Sequence, residues 1–364
     1  MLWCQVGLRT FLQMVFYKGI SHSLNLGEME NIVLKSRGFC FRFTCFKHIL
    51  PLHSRLSLFS HAGVFVAEAA SLSSQTLPAD FFSGPGWATF SLTGERHIKK
   101  DLPNQDSVLL VPSFLGESGR TLFALCDGHG RDGHLCAQRL LDHLPTNLPE
   151  LAYAQDPSKA LKEFCRVQDR YLEDRLFHGG TTLVIADVSP QRILIAHVGD
   201  SRATMVTSHH RMADLTVDHH VSLIPPQELE ALQRRGGMVV AIGKKRTPFL
   251  CAVEEDPIYI DIHTLTTYRS IGDYHFGRGP SSTPDVQLFS WDQLSQGTHL
   301  LLWSDGACGA ISETAFSSSV IRRIFHPSSI EEISLRLREE IVRAEPFDDA
   351  TAMVVDLSSF RPPS

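Results

Sequence analysis

The stretch that decides the fold of this chain is Phe123-Ala-Leu-Cys-Asp-Gly-His-Gly130, a short apolar run that ends on an acid, two glycines and a histidine. An apolar run stopped by a glycine-rich turn predicts a buried strand with polar groups at its carboxyl end. Asp127 can face a metal ion, the carbonyl of Gly128 can approach it closely, and His129 is near enough to protonate a bound group. The alternative interpretation is a helix-capping aspartate beside a surface histidine. The octapeptide alone leaves both interpretations open.

Acids flank other predicted strands in the same way. Asp200 and Asp305 follow apolar runs, whereas Asp106 and the pair Asp348-Asp349 precede such runs. Taken singly, each acid also suits a turn or a helix cap. Together they could converge in one cleft, where bound cations would offset the repulsion between carboxylates.

The type of donor indicates the metal and the chemistry. Carboxylates without Cys or His at ligand spacing favour Mg²⁺ or Mn²⁺ over Zn²⁺. Two such ions can lower the pKa of a shared water and clamp the attacking and leaving oxygens of a phosphoryl group. The pattern therefore predicts phosphate ester hydrolysis.

Strand and helix signals alternate from Pro85 onward. Short runs rich in Val, Ile, Leu or Phe predict strands at 87–92, 107–111, 121–126, 181–188, 193–198, 299–303 and 351–357. One predicted helix begins at Pro157 and carries an apolar stripe of Leu161, Phe164, Val167, Tyr171 and Leu172. Another begins at Ser329 with a capping box to Glu332 and repeats Ile330, Ile333, Leu337 and Ile341. These signals predict an α+β sandwich of sheets covered by helices.

Composition excludes several classes of protein. With 43% hydrophobic and 20% charged residues, the chain can bury a core, which excludes a wholly disordered protein. A net charge of -6 gives no reason to propose a nucleic acid partner. The eight cysteines form no CxxC pair, which favours a reducing, intracellular setting in the cytoplasm or nucleus. No apolar run reaches the length of about 18 residues that a membrane span needs.

The first 80 residues differ from the rest. Up to Ala67 the chain is basic and acid-poor, with Glu28 and Glu30 as its only acids. Such a leader is typical of a mitochondrial or plastid targeting segment, and the alternative is a poorly ordered extension. We therefore predict an extension over residues 1–80 and a catalytic domain over 81–360. With no evident assembly segment, we expect a monomer.

Ten short motifs resemble, in family order, those of the metal-dependent protein Ser/Thr phosphatases of the protein phosphatase 2C (PP2C, PPM) family. They are Asn104-Gln-Asp106, Asp127-Gly-His-Gly130, Gly180-Thr-Thr182, Val198-Gly-Asp-Ser-Arg202, Leu215-Thr-Val-Asp-His219, Gly236-Gly237, Arg269-Ser-Ile-Gly-Asp273, Pro284-Asp-Val286, Ser304-Asp-Gly306 and Asp348-Asp-Ala-Thr351. Each motif alone is weak, but ten in order over residues 84–358 make chance agreement untenable. The Asn-Gln-Asp motif is similar to that of plant-type members.

The resemblance implies a four-layer sandwich, with two central antiparallel β-sheets flanked by helices, and two Mg²⁺ or Mn²⁺ ions at one end. Asp127 would bridge both ions, the carbonyl of Gly128 would bind the second, and Asp305 and Asp348 would hold the first. A metal-bridging hydroxide would attack phosphoserine or phosphothreonine of a protein substrate. His129 would protonate the leaving oxygen.

Other positions depart from the family pattern or match it less directly. Gln105 stands where the family often has Glu, so Gln105 and Asp106 are the candidates beside the second metal. Asp200 matches the acid of a third metal, but the acid that commonly ends the Ser-Asp-Gly motif is Gly309 in this chain. The phosphate-binding cation of the family falls at Asp101, one residue from Lys100, which could serve instead. These departures favour an alternative function, a catalytically weak pseudophosphatase that acts as a binding or scaffold module.

Overall fold

The structure is a computed structural model. It describes the strands at 32–36, 39–43 and 64–66 and residues 80–362, apart from 149, 243–245, 256–259, 278 and 314–317. Apart from those three short strands, the predicted extension over residues 1–80 lies outside the described residues. Contacts divide the chain into two units, Met1–Arg55 with Val253–Ile262, and Leu56–Ala252 with His263–Ser364. The first contains an antiparallel hairpin, and the second contains a sandwich of two sheets.

The secondary structure comprises strands and helices that alternate along the chain. The strands are β1 Ile32–Ser36, β2 Phe39–Phe43, β3 Val64–Val66, β4 Phe81–Gly84, β5 Trp87–Leu92, β6 Asp106–Pro112, β7 Thr121–Gly130, β8 Gly179–Thr181, β9 Leu183–Val188, β10 Ile193–Val198, β11 Arg202–Thr207, β12 Met212–Asp214, β13 Met238–Ile242, β14 Thr247–Glu255, β15 Ile260–Leu265, β16 Ile271–Gly272, β17 Asp285–Phe289, β18 Gly297–Trp303 and β19 Ala350–Asp356. The helices are α1 Glu95–Lys100, α2 Gly133–Asn147, α3 Glu150–Gln155, α4 Pro157–Asp174, α5 Pro226–Arg234, α6 Asp305–Glu313, α7 Ser318–Ile324 and α8 Ile330–Arg343. No helix in the described part of the chain is long and apolar enough to cross a membrane.

Two sheets form the centre of the fold. In the first, the strand order is β16-β8-β7-β9-β10-β17, with β6 also paired to β7 and β3 paired to β6. In the second, the order is β12-β11-β18-β19-β5-β4. Every pairing in these sheets is antiparallel except that of β3 with β6. The core between the sheets contains Phe123 and Leu125 from the first and Leu300, Leu302 and Met353 from the second.

Helices cover the outer face of each sheet. Because side chains alternate along a strand, Leu122, Ala124 and Cys126 of β7 point away from the other sheet and pack on α2 and α4. On the second sheet, Leu301 and Trp303 of β18 pack on α6 and α8 in the same way. The result is a four-layer α+β sandwich, which confirms the fold class predicted from the sequence.

The predicted elements agree in position with the structure but differ in some details. The strand predicted at 181–188 is divided at Thr182 into the end of β8 and β9. The run at Phe123 does not stop in a turn, because Gly128–Gly130 pair with Gly179–Thr181 and extend β7 to Gly130. On α4, Leu161, Phe164 and Leu172 are buried as predicted, but Val167 is 43% exposed. The predicted cap of α8 is confirmed, since Ser329 Oγ accepts a hydrogen bond from the Glu332 N–H at 3.3 Å.

A buried ionic network fixes the start of β7 against β9. The Arg120 guanidinium donates to both carboxylate oxygens of Asp187, at 2.9 and 2.6 Å. Tyr153 donates its hydroxyl to the same carboxylate at 3.0 Å, and Arg120 lies over the rings of Phe114 and Tyr153. Since Leu122 is paired with Asp187 across the two strands, this network sets the position of the strand that leads to Asp127.

We expect Asp187→Ala to lower the free energy of unfolding by about 3–5 kcal/mol, because it removes the buried partner of the Arg120 charge and leaves only the half-exposed Glu117. Denaturant-induced unfolding measures the change. The matched control is Glu163→Gln, which breaks an exposed ion pair with Arg166 and should leave stability unchanged within error. Equal stability of the Asp187→Ala variant and the unmodified protein would contradict the structural role of this network.

Candidate active site

Aspartates from five separate places in the chain meet at one end of the sheets. They are Asp106 at the start of β6, Asp127 in β7, Asp200 after β10, Asp305 at the start of α6 and Asp348 before β19. Asp106 and Asp127 are direct partners across β6 and β7. Burial raises the pKa of Asp127 well above its ordinary value, and the charges of the other four raise it further.

The remaining acids act on one another as well. Burial and the charges of Asp305 and Asp218 raise the pKa of Asp200 to about 8. Burial raises the pKa of Asp348, where the Arg96 charge opposes the shift and Asp305 adds to it. Acids that are far apart in sequence therefore lie within one another's electrostatic field, so the structure brings together the residues that the motifs single out.

The donor set suits a divalent cation. Asp106 is 1% exposed; its Oδ2 accepts a hydrogen bond from Ser304 Oγ at 2.8 Å. Its Oδ1 is buried and has no hydrogen-bond partner among the described residues. A buried carboxylate oxygen without a donor, inside a cluster of like charges, needs a positive counter-charge. The arrangement of oxygens thus fits Mg²⁺ or Mn²⁺.

The Gly180-Thr-Thr182 motif holds the backbone of Asp127. Thr182 Oγ1 accepts from the Asp127 N–H at 3.0 Å, and the Thr182 N–H donates to the Asp127 carbonyl at 2.9 Å. Thr181 Oγ1 donates to the same carbonyl at 3.1 Å. With its N–H and carbonyl both bonded, Asp127 has a fixed position relative to the other acids.

Gly128 is a glycine for steric reasons. A Cβ there would overlap the carbonyl oxygen of Gly133 and lie 2.8 Å from the carbonyl oxygen of Gln105. The Gly128 N–H donates to that Gln105 carbonyl at 3.1 Å. The absence of a side chain therefore lets β7 touch both the start of α2 and the Asn-Gln-Asp segment.

Asp349 organises the backbone around its neighbour Asp348. Its Oδ1 accepts from the Gly94 N–H at 2.8 Å, and its Oδ2 accepts from the Gln105 N–H at 2.7 Å. The Nδ1 atom of buried His97 lies 2.7 Å from the same Oδ2. Ligand atoms of His97, Asp348 and Asp349 lie within 4.8 Å of one another, but the bonds of Asp349 to two backbone N–H groups give it a positioning role. Nothing in the motifs predicted the contribution of His97.

Gln105 is turned toward the protein backbone. Its Nε2 donates to the carbonyl of Gly130 at 2.8 Å, and the side chain is buried. Only Oε1 of the amide could then face a cation, and it carries no formal charge. At the other departure from the family pattern, a Cβ on Gly309 would meet no atom within 4 Å.

Arg96 and Lys100 lie on the same short helix, α1, in different surroundings. Arg96 Nη2 donates to Asp348 Oδ1 at 2.8 Å, whereas Lys100 is exposed in the last turn. Arg96 thus contacts an acid of the cluster. The spacing of the motif predicted Lys100, because the sequence does not reveal that the first turn of α1 lies beside Asp348.

His129 contacts Asp273, an acid for which the sequence predicted no role. Its Nε2 lies 2.7 Å from Oδ2 of Asp273, and Ser270 Oγ donates to the same oxygen at 2.6 Å. Burial lowers the pKa of His129, but the charge of Asp273 and its hydrogen bond outweigh that effect, so the pKa is raised. The feature of the sequence that could have identified Asp273 is its position at the end of the Arg269-Ser-Ile-Gly-Asp273 motif.

A second cluster, His197, His219 and Asp285, also has ligand atoms within 4.8 Å of one another. His219 Nδ1 accepts from the Gly199 N–H at 3.0 Å, and its Nε2 lies 3.1 Å from Asp285. His197 Nε2 lies 2.9 Å from the Val217 carbonyl and its ring stacks on His219. These bonds use both ring nitrogens of His219 and Nε2 of His197, and they fix the loop that carries Asp200. We therefore assign the cluster a structural role.

The family model for "Protein phosphatase 2C" matches residues 86–348, well over half of the chain. The chain belongs to the protein phosphatase 2C family. This confirms the resemblance seen in the ten motifs.

Relatives within the family cover most of the sandwich. The chain is 28% identical to "Probable protein phosphatase 2C 8" of Arabidopsis thaliana, over 72% of this chain and 76% of that protein. It is 28% identical to "Probable protein phosphatase 1N" of Homo sapiens over 65% of its own length, and spans only about half (54%) of that relative. The solved "serine-threonine phosphatase 2C from Toxoplasma gondii" shares the fold, with a TM-score of 0.55, 20% identity and coverage of 76% of this chain and 96% of that one.

We expect Mn²⁺ to raise the thermal unfolding midpoint of the protein, because it neutralises the repulsion between the clustered aspartates. At a concentration about 100 times Kd, binding to the folded state alone contributes about 2.7 kcal/mol. Asp127→Asn should lose most of this stabilisation, yet unfold no earlier than the unmodified protein without metal, since it removes one of the repelling charges. The exposed residue Asp292 provides the matched control, Asp292→Asn, and an identical Mn²⁺ shift in both variants would rule out Asp127 as a ligand.

Proposed function

We propose that this chain is a metal-dependent protein serine/threonine phosphatase that hydrolyses phosphoserine and phosphothreonine. The observation that carries the proposal is the group of five aspartates beside His129, in which the charges of the other four raise the pKa of Asp127. A hard cation is the natural counter-charge for such a group. Phosphoryl transfer is the reaction in which carboxylate-held Mg²⁺ or Mn²⁺ is most useful, since charge on the phosphoryl oxygens must be neutralised.

We assign the metal ligands by the motifs of the family. Asp305 and Asp348 would hold a first ion, the carbonyl of Gly128 would hold a second, and Asp127 would contribute to both sites. Gln105 and Asp106 stand beside the second site, and Asp200 beside a third. When bound, the ions supply an activated water and charge neutralisation. The burial of Asp106 supports this assignment, because its Oδ1 has no hydrogen-bond partner among the described residues.

Two side chains act on the substrate itself. His129 gives a proton to the leaving serine or threonine oxygen. Arg96 binds the phosphate, for which its contact with Asp348 orients the guanidinium toward the acid cluster. Lys100, in the last turn of the same helix, is the other candidate for that role.

The substrates in this proposal are phosphoproteins, and the protein acts as an intracellular monomer in the cytoplasm or nucleus. The targeting of residues 1–80 to a mitochondrion or plastid is the alternative for its location. A catalytically weak binding module is the alternative function. It is favoured by the bond of Gln105 Nε2 to Gly130 and by the missing acid at Gly309, since both reduce the negative charge available to metals.

The full-length chain should hydrolyse a phosphoserine peptide in the presence of Mn²⁺ or Mg²⁺ and lose that activity in EDTA. Asp127→Asn and Asp305→Asn should each lower turnover by about 100-fold or more, as expected when a metal that stabilises the transition state is lost. The control Asp292→Asn should match the unmodified protein. A folded protein without turnover at any metal concentration would instead support the binding module.

Arg96→Ala should raise KM for the phosphopeptide by about 10- to 100-fold, because a charge-assisted hydrogen bond to phosphate contributes about 1.5–3 kcal/mol. Lys100→Ala, a matched removal of a cation from the same helix, should change KM by less than about twofold. Steady-state kinetics at saturating Mn²⁺ separate the two. A larger increase of KM in Lys100→Ala than in Arg96→Ala would instead assign phosphate binding to Lys100.

A further inference from the structure

The contact between His129 and Asp273 crosses three neighbouring strands. His129 of β7 is paired with Gly180 of β8, and Gly180 is paired with Gly272 of β16. Adjacent strands lie about 4.8 Å apart, so the backbones of His129 and Gly272 are separated by about 10 Å. The side chains of His129 and Asp273 bridge this gap, with Nε2 and Oδ2 2.7 Å apart.

Gly180 makes the contact sterically feasible. A Cβ at this position would overlap Asp273 Oδ2 and lie 2.9 Å from His129 Nε2. The two side chains therefore meet directly over Gly180 of β8, which has no side chain. A larger residue at 180 would fill the space in which the contact forms.

Asp273 is held in a conformation that few residues adopt. Its φ of 58° lies in the left-handed region, and such a backbone persists only where the surroundings determine it. The Asp273 N–H donates to the Gly179 carbonyl at 2.9 Å, and the preceding Gly272 N–H donates to Asp169 Oδ1 at 2.8 Å. The loop thus aims the carboxylate at His129.

The carboxylate of Asp273 is buried, with a side-chain exposure of 1%. Its hydrogen bonds to Ser270 and His129 both use Oδ2, and Oδ1 has no hydrogen-bond partner among the described residues. A buried carboxylate is costly unless a positive group compensates it. The ring of His129 is the group in contact that can carry positive charge.

We infer that Asp273 is a positioning residue that holds His129 by Nε2 and makes Nδ1 the atom that protonates the leaving oxygen. An aspartate bonded to one ring nitrogen fixes both the orientation and the tautomer of a histidine. The inference rests on the proposed phosphatase activity. It adds to that proposal the residue that orients His129 and the atom of the His129 ring that donates the proton.

The proton transfer conserves atoms and charge. The oxygen of the attacking water bonds to phosphorus as the bond from phosphorus to serine Oγ breaks. The electron pair of that bond stays on Oγ, which takes the proton from His129 Nδ1. The ring is left neutral, with its remaining proton on Nε2 bonded to Asp273 Oδ2, and the proton released by the attacking water restores the ring.

The test uses two substrates that differ in their leaving group. A serine alkoxide needs a proton as it leaves, whereas p-nitrophenolate leaves without one. In the full-length chain with saturating Mn²⁺, Asp273→Asn should lower kcat for a phosphoserine peptide by about 100-fold and for p-nitrophenyl phosphate by less than about threefold. Gly180→Ala should produce the same selective loss, because its Cβ displaces Asp273 from His129.

His129→Ala provides the reference for this selectivity. The double variant His129→Ala/Asp273→Asn should be no more selective than His129→Ala alone, because Asp273 acts through His129. Equal losses on both substrates in the Asp273 and Gly180 variants would mean a merely structural role and overturn the inference, as would no loss on either. If the unmodified protein hydrolyses neither substrate, it is the proposed function that fails.

Discussion

The mutual repulsion of clustered carboxylates is the constraint on which the rest of this structure depends. Asp127 lies in the electrostatic field of four other aspartates from separate parts of the chain, and no such arrangement is stable without compensation. The sandwich supplies the rigidity that holds the acids together. Backbone bonds from the Gly180-Thr-Thr182 motif fix Asp127, and two N–H groups fix Asp349 beside Asp348. The fold holds the carboxylates together, and a cation supplies the compensating charge.

Close approach of backbone segments is the second requirement, and glycines meet it. At Gly128 the missing side chain lets β7 touch α2, and at Gly306 a Cβ would overlap the carbonyl oxygen of Asp349. In these motifs, the glycine that follows the aspartate therefore allows the close backbone contact that places the aspartate in the site. This explains why Asp-Gly recurs at two of the strand ends that form the site.

Much of the fold could be predicted from the sequence, because a two-residue period along buried strands is a local property. The acids could be identified for the same reason, since each stands at the start or the end of an apolar run. The side-chain contacts that complete the site could not be predicted from the sequence. His129 and Asp273 are joined by strand register across β7, β8 and β16, and His97 reaches Asp349 through the turn that starts α1. Arg96 contacts Asp348 because the backbone of the first turn of α1 is bonded to the segment before β19, where the Arg96 N–H donates to the Phe347 carbonyl. Such contacts depend on tertiary geometry that residue spacing does not encode.

The two departures from the family pattern act on the same quantity, the negative charge of the site. Gln105 offers a neutral oxygen where a carboxylate is common, and Gly309 leaves open space where another carboxylate would stand. Both changes weaken the attraction for cations at the periphery, while Asp127, Asp305 and Asp348 are retained at the centre. Each carboxylate adds Coulomb attraction to the affinity of the site for a metal ion. A cation bound by Asp127, Asp305 and Asp348 would therefore be held more firmly than one that depended on Gln105 or Asp200. The remaining negative charge is therefore concentrated on Asp127, Asp305 and Asp348.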